Sequence, residues 1–399
     1  MRHLYTLLAY LAAPLFSLVL LWRGLRDRSY WHNFRERFGF GAPLPGASIW
    51  IHAVSVGEVQ AAAALVTALH SRFPDLPIVV TTFTPTGAAR ARALFKDLAQ
   101  VRYLPYDLPG AVGRFLARVR PRLAVIFETE LWPNLYRACG RRRIPLVLAS
   151  ARLSPRSVGR YQRLGALFRE TLANGVVVAA QGAADADRFR ALGSDPGSTH
   201  VTGNLKFDFA VPADIETRGR RLREQYAPGR PVWVAGSTHG GGEEEALLEA
   251  HAAIRGAHPG ALLIMAPRHP TRFLEVAELL GRRGVKFARR SREAAGEVAF
   301  VGGSLVPVGG HNLLEPAALG LPTLTGPHNA NSAEVARVLL ERGAVQIVTG
   351  PTDLAQRVSQ LLSDPEARRR AGSAGRDYVQ ANKGALTKLM SLIVPLLEQ

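Results

Sequence analysis

Two doubly wound α/β domains facing each other across a cleft are what this sequence predicts, on three observations. Short apolar runs alternate with amphipathic helical stretches along most of the chain, the pattern of parallel sheets covered on both faces. At 399 residues the chain exceeds the ~250 to 300 at which a single core stops growing. A polar, proline-containing stretch at 209–217 parts the alternation into two series.

Residues 4–22, LYTLLAYLAAPLFSLVLLW, come first and carry no charge. The run is just long enough for a bilayer core, which takes ~20 residues. Pro14 interrupts it, and Arg23, Arg26, Arg28, Arg35 and Arg37 crowd its C-terminal side. By the positive-inside rule that charge puts the following domain in the cytoplasm, whereas a cleaved signal peptide carries its charge on the other side. The expectation is a membrane anchor at 1–30, spanning or partly embedded, with the rest of the chain at the cytoplasmic face of the plasma membrane.

The first series of strands reads 49–54, 78–83, 101–106, 123–128, 146–150, 176–181 and 200–203; the second reads 232–235, 262–266, 298–301, 322–325 and 345–348. The strands end in loops of unusual content. VSVGE, TPTG, ETELWPN, SARLS and GNLKFD belong to the first series, and GSTHGGGEEE, PRHP, GGSLVPVGGHNLLEP and GPHNAN to the second. Ligands of open α/β sheets bind at such strand C-termini. The expected division is an N-terminal domain at 31–208, a linker at 209–230, a second domain at 231–380 and a terminal helix at 381–399. One junction lacks room: only residues 289–297 separate the apolar segment 285–288 from the strand 298–301, and a parallel crossover takes at least ~10 to 12 residues. Either that pair is antiparallel, or the second domain lacks one strand-helix unit.

Composition narrows the partners. With 47% hydrophobic and 21% charged residues the chain is globular rather than disordered. A net charge of +18, carried by 45 Arg against 5 Lys, suits anionic partners. No aromatic-interleaved basic tract accompanies that charge, so an anionic membrane surface ranks above nucleic acid. The single cysteine, Cys139, excludes an intrachain disulfide framework.

Several residues could carry chemistry. Glu58 follows the first strand at the start of a helix, where it reads equally as a general base or as a first-turn acid complementing the helix dipole. Glu128 and Glu130 flank Thr129 at another strand end; in an extended segment they would share a face and repel. Lys206 stands out in a chain that otherwise chooses Arg, and a compact ammonium suits a leaving phosphate. In the second series, Ser237 and Thr238 sit where backbone N–H groups meet a helix N-terminus, and Arg268 with His269 follows the next strand as a candidate anion site. The stretch 302–316 concentrates Gly303, Ser304, His311, Asn312, Leu313, Leu314 and Glu315 where a strand hands over to a helix. Glu243, Glu244 and Glu245 read as the start of a helix rather than as ligands. Asp185 and Asp187 match a metal-binding Asp-x-Asp but lie in a helical segment, where i and i+2 do not share a face. No HExxH, CxxC, Walker A or GxGxxG motif is present, and no metal or cofactor is expected.

The blocks HAVSVGE, TTFTPTG, ETELWPN, ARLS, VTGNLKFD, GSTH, PRHP, VGGSLVPVGGHNLLEPAALG and GPH, in this order along nearly the whole chain, resemble those of the 3-deoxy-D-manno-octulosonic acid (Kdo) transferases of Gram-negative bacteria. The resemblance implies a GT-B fold at the inner membrane and an inverting transfer of Kdo from CMP-Kdo to a lipid A precursor, without a metal. It implies an acceptor-binding first domain and a nucleotide-sugar-binding second one. Glu58 would be the catalytic base, with Glu128 and Lys206 stabilising the transition state. Arg268, His269, Asn312 and Glu315 would contact CMP. Between the counterparts of Ser291 and Val298 the family carries a further strand-loop-helix that this chain lacks. The alternative is therefore a catalytically impaired homologue that binds lipid or a partner protein.

Overall fold

A computed structural model describes residues 1–154, 158–159, 161, 164–209, 211–212, 214–288 and 296–398. The chain divides into two compact units, Met1–Ala210 with Asn382–Gln399, and Val211–Ala381.

The first unit is built on seven strands: β1 Ser48–His52, β2 Ile78–Thr82, β3 Ala99–Tyr103, β4 Pro121–Phe127, β5 Leu146–Ala151, β6 Val176–Ala180 and β7 Thr199–Val201. They pair in parallel in the order β3-β2-β1-β4-β5-β6-β7. Helices cover both faces, so Ile49, Trp50 and Ile51 of β1 are all buried, the continuous apolar run of a doubly covered strand. The winding goes from β1 outward to β3, then returns to β4 on the other side of β1. That reversal between β1 and β4 is the topological switch point.

Helix α2, Val56–Arg72, springs from the end of β1 with Ser55 as its cap; α3, Pro85–Leu94, follows β2 with Thr84 as cap and proline in its first turn. The two N-termini touch. A Cβ at Gly87 would lie 3.1 Å from the Val54 carbonyl oxygen and 2.8 Å from Thr84 Oγ1, which only glycine avoids. The helix Ala385–Glu398 returns to this unit and buries Ala385, Leu389, Ile393 and Leu397 in one core cluster with Leu65, Val66 and Leu69 of α2. Asp208 fastens its start, accepting from the Gly384 and Leu386 N–H groups at 2.7 and 2.6 Å.

The N-terminal apolar run forms helix α1, Arg2–Gly24. It is held against the first unit along its length: Arg2 pairs with Glu170, the Tyr5 hydroxyl donates to Asp107, that of Thr6 donates to Asn134, and Ala13 packs with Tyr106, Leu108 and Ala111. Leu7, Leu11, Leu15, Phe16, Leu18 and Trp22 are exposed on it. One arginine expected beside the membrane is elsewhere: Arg37 is 1% exposed, inside the unit.

The second unit has five described strands: β8 Val232–Thr238, β9 Leu262–Pro267, β10 Val298–Val301, β11 Thr323–Thr325 and β12 Val345–Ile347. All pair in parallel, in the order β12-β11-β10-β8-β9. Trp233, Ala235, Phe300 and Leu324 fill its core beneath Leu247, Ile254, Leu354 and Val358. The switch point falls between β8 and β10. The apolar segment 285–288 is not a strand, which corrects one premise of the crossover argument: β10 lies beside β8, and the chain reaches it from β9 by way of the helix Phe273–Arg282. The short stretch at issue falls mostly on 289–295, outside the described residues. The segment 209–230 holds a helix, Ile215–Tyr226, with Leu222 buried.

Candidate active site

Glu58, third residue of α2, turns its carboxylate back over the helix start. Its Oε2 accepts from the Val54 N–H at 2.9 Å and its Oε1 from the Ser55 hydroxyl at 2.9 Å. These bonds are a variant of the capping box, in which a third-position acid reaches back to the residues that open the helix. The residue is also only 8% exposed. Burial, reinforced by the charge of Glu128 and opposed by the Val54 hydrogen bond, pushes its carboxyl up to about 7. The cap thus fixes the group, and burial moves its acidity toward neutrality.

Glu128 directly follows β4, the strand across the switch point. The expectation of an extended segment shared with Glu130 is corrected here: Glu128 has φ +58°, a left-handed conformation, and the chain turns at that residue. Such a backbone costs a non-glycine residue on the order of 1 to 3 kcal/mol and is sustained only by its surroundings. Glu128 Oε1 accepts from Lys206 Nζ at 2.7 Å. Lys206 is positioned in turn by neighbouring loops: Asn204 accepts its backbone N–H, Gln181 accepts from Asn204, and Ser150, itself at φ +47°, accepts from the Leu205 N–H. Glu130 receives the indole N–H of Trp132 at 3.0 Å, and burial raises its carboxyl. Asn134 is buried and bonded to the Asp107 carbonyl and the Thr6 hydroxyl, so it packs rather than presents itself to a ligand. The first unit thus gathers Glu58, Glu128 and Glu130 within mutual electrostatic reach at the C-terminal end of its switch point, with the Lys206 ammonium paired to Glu128.

The second unit uses the same location differently. Glu243, the first residue of the helix Glu243–Ala257, is fully buried. Its carboxylate accepts four backbone N–H groups, from His239 and Gly303 at 2.9 Å and from Ser304 and Leu305 at 3.1 Å. Glu244, also buried, takes the Thr238 hydroxyl and the Arg272 guanidinium. These acids start a helix as expected, with Glu245 beside them in its first turn, and Glu243 and Glu244 in addition bind groups of their own chain. Gly303 and Ser304 correspondingly spend their N–H groups on Glu243, and the Ser304 hydroxyl donates to Val301 and accepts from Gly326. Ser237 has φ +57°. Leu313 and Leu314 are buried, and the Leu314 N–H donates to the Asn312 side chain, whose amide donates to Glu315 at 3.1 Å.

Arg268 and His269 are exposed after β9, and Asn312 and Glu315 are exposed at the opening of the helix Leu314–Ala318. Between these groups lies a residue that sequence reasoning passed over: His239 shares a hydrogen bond with His311, Nε2 to Nε2 at 2.8 Å, and meets the His269 ring edge-on at 5.6 Å. Burial, then the charges of Arg268, His239 and His269, hold His311 down at about 4. The two rings are stacked, with their planes 9° apart. A lone histidine in GSTH carries no signal of this pairing, which depends on a loop 72 positions away. Asp185 and Asp187 diverge as expected of helical neighbours, Asp185 to the Leu153 N–H and Arg188, Asp187 to Arg190.

Two parallel sheets with alternating helices, wound in the same sense, define a protein of the GT-B class. A UDP-GlcNAc 2-epimerase from Neisseria meningitidis shares this fold, with a TM-score of 0.57, 13% identity, and 88% of this chain and 100% of that chain covered. Residues 32–209 match the family described as 3-deoxy-D-manno-octulosonic-acid transferase (kdotransferase). A 3-deoxy-D-manno-octulosonic acid transferase of Haemophilus influenzae is 39% identical over 424 aligned positions, covering 100% of this chain and 99% of that protein. One from Bordetella pertussis is 36% identical, covering 98% of each. The chain belongs to the Kdo transferase family.

Proposed function

We propose that this protein is an inverting glycosyltransferase that moves Kdo from CMP-Kdo to the tetraacyl lipid A precursor at the cytoplasmic face of the inner membrane. The observation that carries the reading is Glu58: a carboxyl titrating near neutrality, fixed by two hydrogen bonds at a switch point, in a chain 39% identical to a Kdo transferase throughout. Glu58 removes the proton from an acceptor hydroxyl, and that oxygen attacks the anomeric carbon of Kdo as the bond to CMP breaks. Glu128 and Lys206 act as an electrostatic pair: the ammonium offsets charge that develops on the leaving phosphate, and Glu128 holds it in place. Arg268, His269, Asn312 and Glu315 hold the nucleotide. Ser237, Thr238, Gly303, Ser304, Leu313 and Leu314 shape that site from behind, their N–H groups and side chains being largely engaged within the unit.

Helix α1 is the anchor. It is long and apolar enough to cross a membrane by length and composition, yet its bonds to Glu170, Asp107 and Asn134 keep it with the first unit. That favours partial embedding over spanning, with the exposed leucines in the acyl region and the basic surface against anionic headgroups. A transfer assay with CMP-Kdo and the tetraacyl precursor tests the activity, and transfer abolished by Glu58→Gln is the expected result.

One observation favours the second reading, a catalytically impaired homologue that binds lipid or a partner protein. The alignment to the Haemophilus protein runs to 424 positions against a chain of 399, so the relative carries residues for which this chain has no counterpart. Absence of transfer alongside retained binding of the lipid precursor would establish it.

A further inference from the structure

Arg37 is a buried cation with little to hold it. It is 1% exposed; among the described residues its Nε and Nη1 meet no hydrogen-bond partner, and its one side-chain bond runs from Nη2 to the Phe83 carbonyl at 2.9 Å. The guanidinium lies over two rings, Tyr103 at 4.4 Å and Phe83 at 5.1 Å. Desolvating a guanidinium is costly, and two π faces, one carbonyl and the charge of the neighbouring Glu36 only partly offset it. What Arg37 grips explains why it is there. The Phe83 N–H donates to the Val54 carbonyl, the Thr84 hydroxyl donates to the same oxygen, and the Val54 N–H is the donor to Glu58 Oε2. The Phe83 ring also lies near-parallel to that of Trp132, with centroids 6.5 Å apart, and Trp132 donates to Glu130. Phe83 thus links Arg37 to the residues that bond two of the three carboxylates, Val54 to Glu58 and Trp132 to Glu130.

We infer that Arg37 is a positioning residue for Glu58, acting through Phe83 and the backbone on both sides of Val54; the inference rests on Glu58 being the base. If the grip is released, the end of β2 relaxes, the Val54 N–H withdraws from Glu58, and the bond that favours the charged carboxylate weakens. The other charged groups facing Glu58 are Glu128 and Glu130, with Lys206 paired to Glu128. None of these contacts Arg37 directly, so a change at Glu58 reports the relay.

The test follows the Glu58 carboxyl by carbon-13 NMR titration, its signal assigned by loss in Glu58→Gln, in the full-length chain in detergent. Arg37→Met should raise the Glu58 midpoint by about half a pH unit or more, and Arg37→Lys, which keeps the cation, should raise it less. Phe83→Leu removes the gripped ring and should shift it in the same direction. If Arg37→Met fails to fold, Phe83→Leu decides alone. An unchanged midpoint in the variants that retain a wild-type melting transition overturns the inference. In the transfer assay, Arg37→Met should lower kcat about tenfold with KM for CMP-Kdo within about twofold. A wild-type chain without transfer would remove the Kdo reading, while the titration would still decide whether Arg37 positions Glu58.

Discussion

Glu58 and Glu243 hold equivalent places: each lies in the first turn of the helix that follows the first strand of its sheet along the chain, beside the switch point, and each is buried. Their surroundings make them opposites. Glu243 accepts four backbone N–H groups, three of them from one loop, and is spent on holding Gly303, Ser304 and Leu305 in place. Glu58 accepts two bonds and faces two further carboxylates, so its proton is loosely committed near neutrality. On the proposed function, a buried acid in one position serves as reagent in the first unit and as scaffold in the second, and the number of donors aimed at it separates the two. The sheets differ to match. The first extends two strands outward from its switch point, to β3, whereas the described second sheet extends one, to β9.

The sharpest way to break this contrast is to neutralise both acids. Glu58→Gln should lower transfer by at least ~100-fold without loss of fold, because the missing function is proton transfer. It should also alter stability with a definite sign. Glu58 is raised from an ordinary 4.5 to about 7, so between those values the folded chain holds a proton that the unfolded chain has released, and stability falls as pH rises through this window. The variant lacks that slope and should be more stable than the wild type at pH 8 by about 1 to 3 kcal/mol in a denaturant titration. In the same assay, kcat/KM of the wild type should climb with pH to a plateau just above 7. Glu243→Gln should do the reverse. It turns an acceptor-only group into one that presents an N–H₂ to buried donors, costing about 3 kcal/mol of second-unit stability, read as a lowered melting transition. A Glu243→Gln chain as stable as the wild type would end the contrast.

The difference at the sheet edges gives the next test. CMP held by Arg268, His269, Asn312 and Glu315 alone should bind at least ~10-fold more weakly than in a relative with a longer second domain, and grafting such a segment between Ser291 and Val298 should recover part of that loss. Calorimetric CMP titration of both chains measures it, and equal affinities would make the shorter edge irrelevant. The smallest effect concerns α1. Deleting residues 2–24 should move the protein from the membrane fraction toward the soluble one, most clearly at raised salt, where the basic surface is screened.

The architecture was legible in the sequence because parallel strands buried on both faces must be apolar throughout and must end where the chain changes composition. The place of Glu58 was legible for the same reason, because a charged residue stands where the first such run gives way to a helix. The segment 285–288 misled because a short apolar stretch carries no mark of whether it finds a sheet partner. Glu243 hid its role because three of its four donors come from residues 60 to 62 positions later. Arg37 was indistinguishable from its neighbours, since a basic flank and a buried cation are written with the same letter; only the placement of Phe83 and Tyr103 separates them. Left-handed backbone at Glu128, Ser150 and Ser237 likewise leaves no trace in residues that usually avoid it.

The return of the helix Ala385–Glu398 to the first unit sets an order of events in time. Its side chains line the same core cluster as α2, the helix that carries Glu58, and Asp208 waits for Gly384 and Leu386 to cap. During synthesis the first two hundred residues emerge long before that helix does, so they stay with one flank of their core uncovered while the whole second unit is made and folded. The earliest part of the chain to appear is therefore the last to be finished. A premature stop within 385–398 would strike the unit most of whose sequence is made before the second unit begins.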